Sequence, residues 1–261
     1  MHIQDVYLLL ILQLLKFKTM INWLKNKFKK KQPLVTCYTT VRGLEEIYPP
    51  RVATAAIPDW FKKMPKEIME QWSGHPGTAK KCPAFVDYYK SGVVLYLWCD
   101  LWVKINEDTT WEVKTPEKLF SFTNHLDNQF LDHLDKREYA MVLKANSPWR
   151  MITPKGYDLM QLPLHYHFDK RFEVLPGVMS ADIHYEVNPQ MAFKEYGEYM
   201  IPRGTPLAMY VPIKREKMTL EVREMDDEMK RLEEKQYYWF SGKFSGGYKE
   251  HQTIIKKQEK K

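Results

Sequence analysis

The sequence predicts a mainly β fold of α+β composition: an antiparallel β-sandwich, jelly roll or barrel with a few peripheral helices and one C-terminal helix. Three observations carry that expectation. Short runs rich in β-branched and aromatic residues recur along the chain, each bounded by Gly, Pro or Asn turn signals. Aromatic residues make up 14% of the chain, with 8 Trp and 16 Tyr, and such side chains bury large areas and favour strands. Beyond residue 216 the pattern changes to dense charge with Met225, Met229 and Leu232 at helical spacing.

Taken in order, Leu34–Thr40 reads as a strand and Tyr48-Pro49-Pro50 interrupts regular structure. Pro58-Asp59-Trp60-Phe61 opens a short helix, and Ser73-Gly74-His75-Pro76-Gly77-Thr78 is a loop. Pro83–Lys90 forms another short helix before Ser91-Gly92. Val93–Cys99 and Leu101–Ile105 read as one continuous strand, apolar on both faces and therefore central, with Trp111–Lys114 returning as its hairpin partner. Leu126, Phe130 and Leu134 suggest a helix within 124–138. Further strands are expected at Ala140–Ala145, Trp149–Thr153, Leu162–Phe168, Phe172–Leu175, Ala181–Val187, Gln190–Phe193 and Leu207–Pro212. The segment from 216 to 236 is expected as a helix lying against the body. The four aromatics from Tyr237 to Phe240 are expected to dock on the core, and 252–261 to be a disordered basic tail. The chain thus divides into an extension over 1–32, a β-rich domain over 33–215 and a C-terminal part over 216–261.

Charge is unevenly spread. The net charge is +7, yet residues 1–32 hold seven lysines against the single acid Asp5, so six of the seven positive charges sit on the extension. The near-neutral body lacks the basic stripe of a nucleic-acid reader, which directs its function away from polyanions. Cys37, Cys82 and Cys99 are odd in number with no CxxC spacing, so free thiols in a reducing cytoplasm are expected.

The apolar run Val6–Leu15 is too short to span a bilayer, and its lysines follow rather than precede it, which argues against secretion. Three readings stay open for 1–31: an interfacial helix using Ile21, Trp23, Leu24 and Phe28 at a membrane surface, translation that begins at Met20, or a partner-docked tail.

Neither GxSxG, GxxxxGK[ST] nor GxGxxG occurs, which removes the common hydrolase and nucleotide-binding signatures. The richest chemistry lies in Leu164-His165-Tyr166-His167-Phe168-Asp169-Lys170-Arg171-Phe172-Glu173. On a strand, His165 and His167 share one face, as paired imidazoles do in barrel metalloenzymes. Glu173 and His184 follow, and on the next strand Asp182, His184 and Glu186 share a face. This pattern resembles the cupin signature, in which HxH precedes a Glu and a Gly, here Glu173 and Gly177. That resemblance implies a cupin-like barrel in which His165, His167, Glu173 and His184 hold Fe, Mn, Ni or Zn. The chain departs from it by five residues between His167 and Glu173 and by Leu207 at the later ligand position.

A second resemblance spans about 34–216. Trp149–Tyr157 (WRMITPKGY), Leu175–Asp182 (LPGVMSAD) and Ile201–Ala208 (IPRGTPLA), in that order, resemble an uncharacterised family of marine tailed phages and bacteria. It implies a phage or bacterial source and a β-rich fold, and no activity. The expected function is accordingly a non-enzymatic phage-encoded β-sandwich protein of the host cytoplasm that binds a partner protein or small ligand. A cupin-like metal enzyme is the alternative.

Overall fold

A computed structural model describes residues 33–68, 77–108, 110–116, 120–124, 139–240, 252–255 and 257. The expected extension over 1–32, the loop over 73–76 and the helix within 124–138 lie outside the described residues. Strands dominate. In chain order they are β1 (Thr36–Thr39), β2 (Arg51–Val52), β3 (Val93–Tyr96), β4 (Leu101–Ile105), β5 (Trp111–Lys114), β6 (Ser121–Asn124), β7 (Met141–Asn146) and β8 (Trp149–Ile152). There follow β9 (Tyr157–Pro163), β10 (Phe172–Val174), β11 (Gly177–Met179), β12 (Gln190–Phe193), β13 (Gly197–Ile201) and β14 (Pro206–Lys214). Helices α1 (Asp59–Lys63) and α2 (Pro83–Lys90) precede β3, and α3 (Asp227–Phe240) follows β14.

All pairings between these strands are antiparallel. They build four sheets, ordered β1-β8, β10-β12-β7-β6, β11-β9-β14-β3-β2 and β13-β4-β5. One core joins all four. Phe122, Leu143, Phe172 and Met191 enter it from the four-stranded sheet, and Leu95, Leu159, Ala208 and Tyr210 from the five-stranded sheet. Leu101, Val103 and Ile201 arrive from the three-stranded sheet, and Trp149 and Met151 from the two-stranded one. This is the β-sandwich arrangement in which inner faces interdigitate.

β3 shows why its sequence is apolar on both faces. Leu95 points into the main core, while Val94 and Tyr96 join a second cluster with Ala53, Ala56, Phe61, Phe85, Tyr89 and Met209. That cluster packs a small helical layer onto the outer face of the five-stranded sheet. α2 starts with Pro83 at its first turn, where a missing N–H costs nothing. Phe85 and Tyr89, four residues apart, share its buried face. The helix ends at Ser91-Gly92, where the backbone runs so close that a Cβ on Gly92 would lie 2.5 Å from Tyr210 O.

Several expectations change. Val93–Ile105 is two strands, because the chain turns at Leu97–Asp100 and sends β3 and β4 into different sheets. The turn is held by Leu97 N donating to Thr205 O at 2.8 Å and Gly204 N donating to Leu97 O at 2.7 Å. Ala181–Val187 is a turn rather than a strand, with Ile183 N and His184 N both donating to Ser180 O. α3 begins at Asp227, and 215–226 has no regular secondary structure instead of being helical. The expected apolar stripe is largely uncovered: Met225, ahead of the helix, is 54% exposed, and within it Leu232 is 53% and Tyr237 75% exposed, with Met229 half-buried. Tyr237 therefore does not dock on the core, and residues 252–255 are helical rather than disordered. No helix among the described residues is long and apolar enough to cross a membrane. The cysteines are unpaired, and burial pushes the thiol of Cys37 up to about 11 and that of Cys99 up to about 12.

Candidate functional site

The HxH segment lies on a loop, not a strand. β9 pairs with β14 only as far as Pro163 opposite Ala208, and the ladder stops there although β14 itself runs on to Pro206. Residues 164–171 therefore leave the sheet, and His165 and His167 do not share a strand face. Tyr166 has φ 68° and Phe168 φ 55°. Two bulky residues in the left-handed region within three positions store backbone strain, which persists only where the surroundings over-determine it.

The helical layer supplies that determination through long side chains reaching the loop's backbone. Tyr88 OH donates to Pro163 O at 3.2 Å, Tyr89 OH to His165 O at 3.0 Å and Trp60 Nε1 to Tyr166 O at 2.8 Å. His167 Nε2 lies 2.7 Å from Ala56 O. A carbonyl only accepts, so Nε2 carries the proton. Burial holds His167 below its ordinary pKa, so the ring is neutral at neutral pH. The rings of the loop continue the aromatic stack behind it. Phe61 and Phe85 stack at 3.8 Å, Tyr166 lies 4.6 Å from Phe85, and Phe168 lies 5.7 Å from Trp60. Each such pair contributes about 0.5–1.5 kcal/mol beyond its area.

The loop walls an open cleft of about 730 Å³, completed by Phe172–Val174 and Thr205–Leu207. The cleft holds His165, His167, Asp169, Arg171 and Glu173. Asp169 Oδ1 accepts from Arg171 N and Nε, both at 3.0 Å, and Oδ2 accepts from Nη2 at 2.7 Å. Burial alone would push Asp169 up, but the Arg171 guanidinium outweighs it and holds the carboxyl below its usual range. Arg171 Nη1 also donates to Met200 O at 2.9 Å, tying the loop to β13. Glu173 accepts from Tyr139 OH and pairs with Lys194 at 3.3 Å; these partners, with His165, hold it low.

Three of the four expected ligands, His165, His167 and Glu173, thus line one cleft, and His184 does not. His184 is exposed in the turn after Ser180, and its neighbour Asp182 faces elsewhere. Asp182 accepts from Gly156 N at 2.9 Å and pairs with Arg215 at 2.6 Å, while Arg215 also reaches Asp158 at 2.5 Å. Glu186 pairs with Arg150 at 3.0 Å. His167 and Asp169 have HxD spacing, yet Nε2 of the first is spent on Ala56 O and the second is saturated by Arg171. No group of three or more His, Cys, Asp or Glu among the described residues is placed to hold a metal ion. The residues present therefore do not fit the cupin-type metal.

Sequence reasoning missed Trp60, Tyr88 and Tyr89, which grip the loop, and Tyr166 and Phe168, which form its wall. The one available signal was the density of rings in Leu164–Phe168 beside aromatic-rich helices. Nothing in the sequence paired the two.

No family model matches this chain, and no curated protein matches it. Among solved structures it is similar to a dUTPase of Staphylococcus bacteriophage 80alpha, with a TM-score of 0.34 at 10% identity, over 75% of this chain and 91% of that one.

Proposed function

We propose that this chain is a non-enzymatic, phage-encoded β-sandwich protein that binds a small ligand in the cleft between Pro163–Val174 and Thr205–Leu207. One observation carries the reading: two left-handed aromatic residues, Tyr166 and Phe168, are held at the cleft in a loop whose carbonyls are gripped from behind. Strain maintained at that cost belongs to a surface whose shape matters. Phe168 is 69% exposed and Tyr166 41%, so the rings offer a ready-made face to a planar or apolar group. The ordered resemblance of Trp149–Tyr157, Leu175–Asp182 and Ile201–Ala208 supports the phage source. The unpaired Cys37, Cys82 and Cys99 suit the reducing cytoplasm of a host cell.

The test is an NMR screen of aromatic fragments against the full chain, with Phe168→Ala as control. Fragments that shift the resonances of His165 and Tyr166, and lose affinity in the variant, support the reading. Fragments that bind only elsewhere defeat it. Elemental analysis covers the rival: stoichiometric Fe, Mn, Ni or Zn, lost in His165→Ala/His167→Ala, would replace a binding protein by a metal enzyme.

A further inference from the structure

The polar groups of the cleft differ in how far their hydrogen-bonding capacity is used. Asp169 takes three bonds from Arg171, and Glu173 accepts from Tyr139 OH and pairs with Lys194 at 3.3 Å. Thr205 Oγ1 donates to Pro202 O at 2.7 Å. Each acid is answered by a cation, so this wall selects no ion.

His167 differs. Its half-buried ring is pinned through Nε2, which donates to Ala56 O at 2.7 Å, and burial keeps the ring neutral. Nδ1 therefore carries no proton and can only accept. It has no hydrogen-bond partner among the described residues, and it is open to solvent on a ring that lines the cleft. Asp169 and Lys62 act on the ring by charge, and both are already paired, with Arg171 and Asp59. Tyr166 and Phe168 flank His167 in the chain, line the same cleft and are exposed. A fixed acceptor between two exposed rings can read the edge of a flat molecule while a ring covers its face.

We propose, resting on the reading of the cleft as a small-ligand site, that its ligand is an uncharged planar heteroaromatic whose edge donates an N–H to His167 Nδ1. The ligand's face would lie against Tyr166 or Phe168. A flat molecule of the same outline without the donor would cover Nδ1 and leave it unpaired, which costs affinity.

The experiment titrates the ¹⁵N-labelled full chain with indole, with benzofuran, which has the same outline and no N–H, and with indole-5-carboxylate. Resonances of His165 and Tyr166 report occupancy of the cleft. The ring nitrogens of His167, assigned through His167→Gln, report the edge contact. Indole should bind saturably on the order of 1 mM and move Nδ1 upfield. Benzofuran should bind about threefold to tenfold more weakly and leave Nδ1 in place. The carboxylate should bind no tighter than indole. In His167→Phe a loosened loop weakens both heterocycles alike, so the ratio of their affinities is what should fall to about one. If that variant does not fold, the Nδ1 response of the parent chain decides. Equal binding of indole and benzofuran at the cleft, a stationary Nδ1, or tighter binding of the carboxylate overturns the inference while leaving the cleft a ligand site. No aromatic fragment at the cleft at all overturns both.

Discussion

Tyr210 and Gln161 face each other across β14 and β9, and their side chains show how single residues hold the sheets in register. Tyr210 OH donates to Gln161 Oε1 at 2.7 Å, and Gln161 Nε2 donates to Leu175 O at 2.7 Å and to Gln190 Oε1 at 3.2 Å. The network bridges the five-stranded sheet to the ends of β10 and β12. Tyr210→Phe strands a buried amide oxygen, so urea unfolding should show a loss of about 1–3 kcal/mol. Adding Gln161→Leu should cost less than the sum of the two single changes, because the orphaned group is removed with it. Gly204 acts through shape: its φ is 79°, and a Cβ there would collide with the Tyr48 ring. Gly204→Ala should lower stability by about 1–3 kcal/mol, checked by the melting temperature. His167 acts through charge. Its folded pKa lies below the ordinary 6.5 because burial disfavours the imidazolium. The unfolded chain therefore takes up the proton first, and stability complete above 6.5 declines as pH falls through that value. His167→Gln, which keeps a donor for Ala56 O, should flatten that decline in a series of melts.

At the scale of elements, the 164–171 loop and the helices behind it form one unit. The helices contribute the donors, and the loop contributes the carbonyls and two exposed rings. Trp60→Phe keeps an apolar ring against Phe61 and Phe85 but removes the donor to Tyr166 O. Hydrogen exchange of amides in 164–168 should quicken in that variant, while global stability falls by only about 1 kcal/mol. The C-terminal part behaves oppositely. Met218, Leu220 and Val222 are 88%, 85% and 86% exposed, and farther on Gln252 Nε2 reaches Asp87 Oδ2 at 3.5 Å. A chain ending after Lys217 should melt within about 1 kcal/mol of the full chain. A larger loss would mean that 218–261 packs on the body in solution.

At the scale of the molecule, two distant segments are clasped by charge. Arg215 follows β14 and binds Asp158 on β9 and Asp182 in the turn after β11, while Gly156 N caps the same Asp182. Hydrogen bonds from Arg215 hold both carboxyls below their ordinary 3.8. For a depressed carboxylate, stability is present above the unfolded value and lost as pH falls through the folded one. Arg215→Leu should therefore weaken the chain at neutral pH and make it less sensitive to pH below 3.8. Acid titration of both forms by circular dichroism checks this.

How much of this was legible depended on whether the deciding contact was local. The strand character of β1, β7, β8, β10, β12 and β14, and the starts of α1 and α2, follow from β-branched and aromatic runs, Pro placement and turn residues, all local properties. The apolar character of β3 on both faces correctly announced a strand covered on both sides, because period-two burial leaves its mark on every residue. The candidate site was legible only as a place. The density of His, acid and ring residues in 164–173 pointed to the cleft, but the pattern His-x-His reads as a shared face only if the strand continues. It does not continue: the ladder with β14 stops at Pro163 opposite Ala208, and the chain departs through the left-handed Tyr166 and Phe168. The grip of Trp60, Tyr88 and Tyr89, about 75 to 106 residues away along the chain, is a long-range event with no local signature. The sequence by itself determined the β class, the burial pattern of its strands and the turns that end them. Tertiary structure alone decided which histidines share a cleft, because that depends on where the β9–β14 ladder stops and on the distant aromatic side chains that grip the loop beyond it.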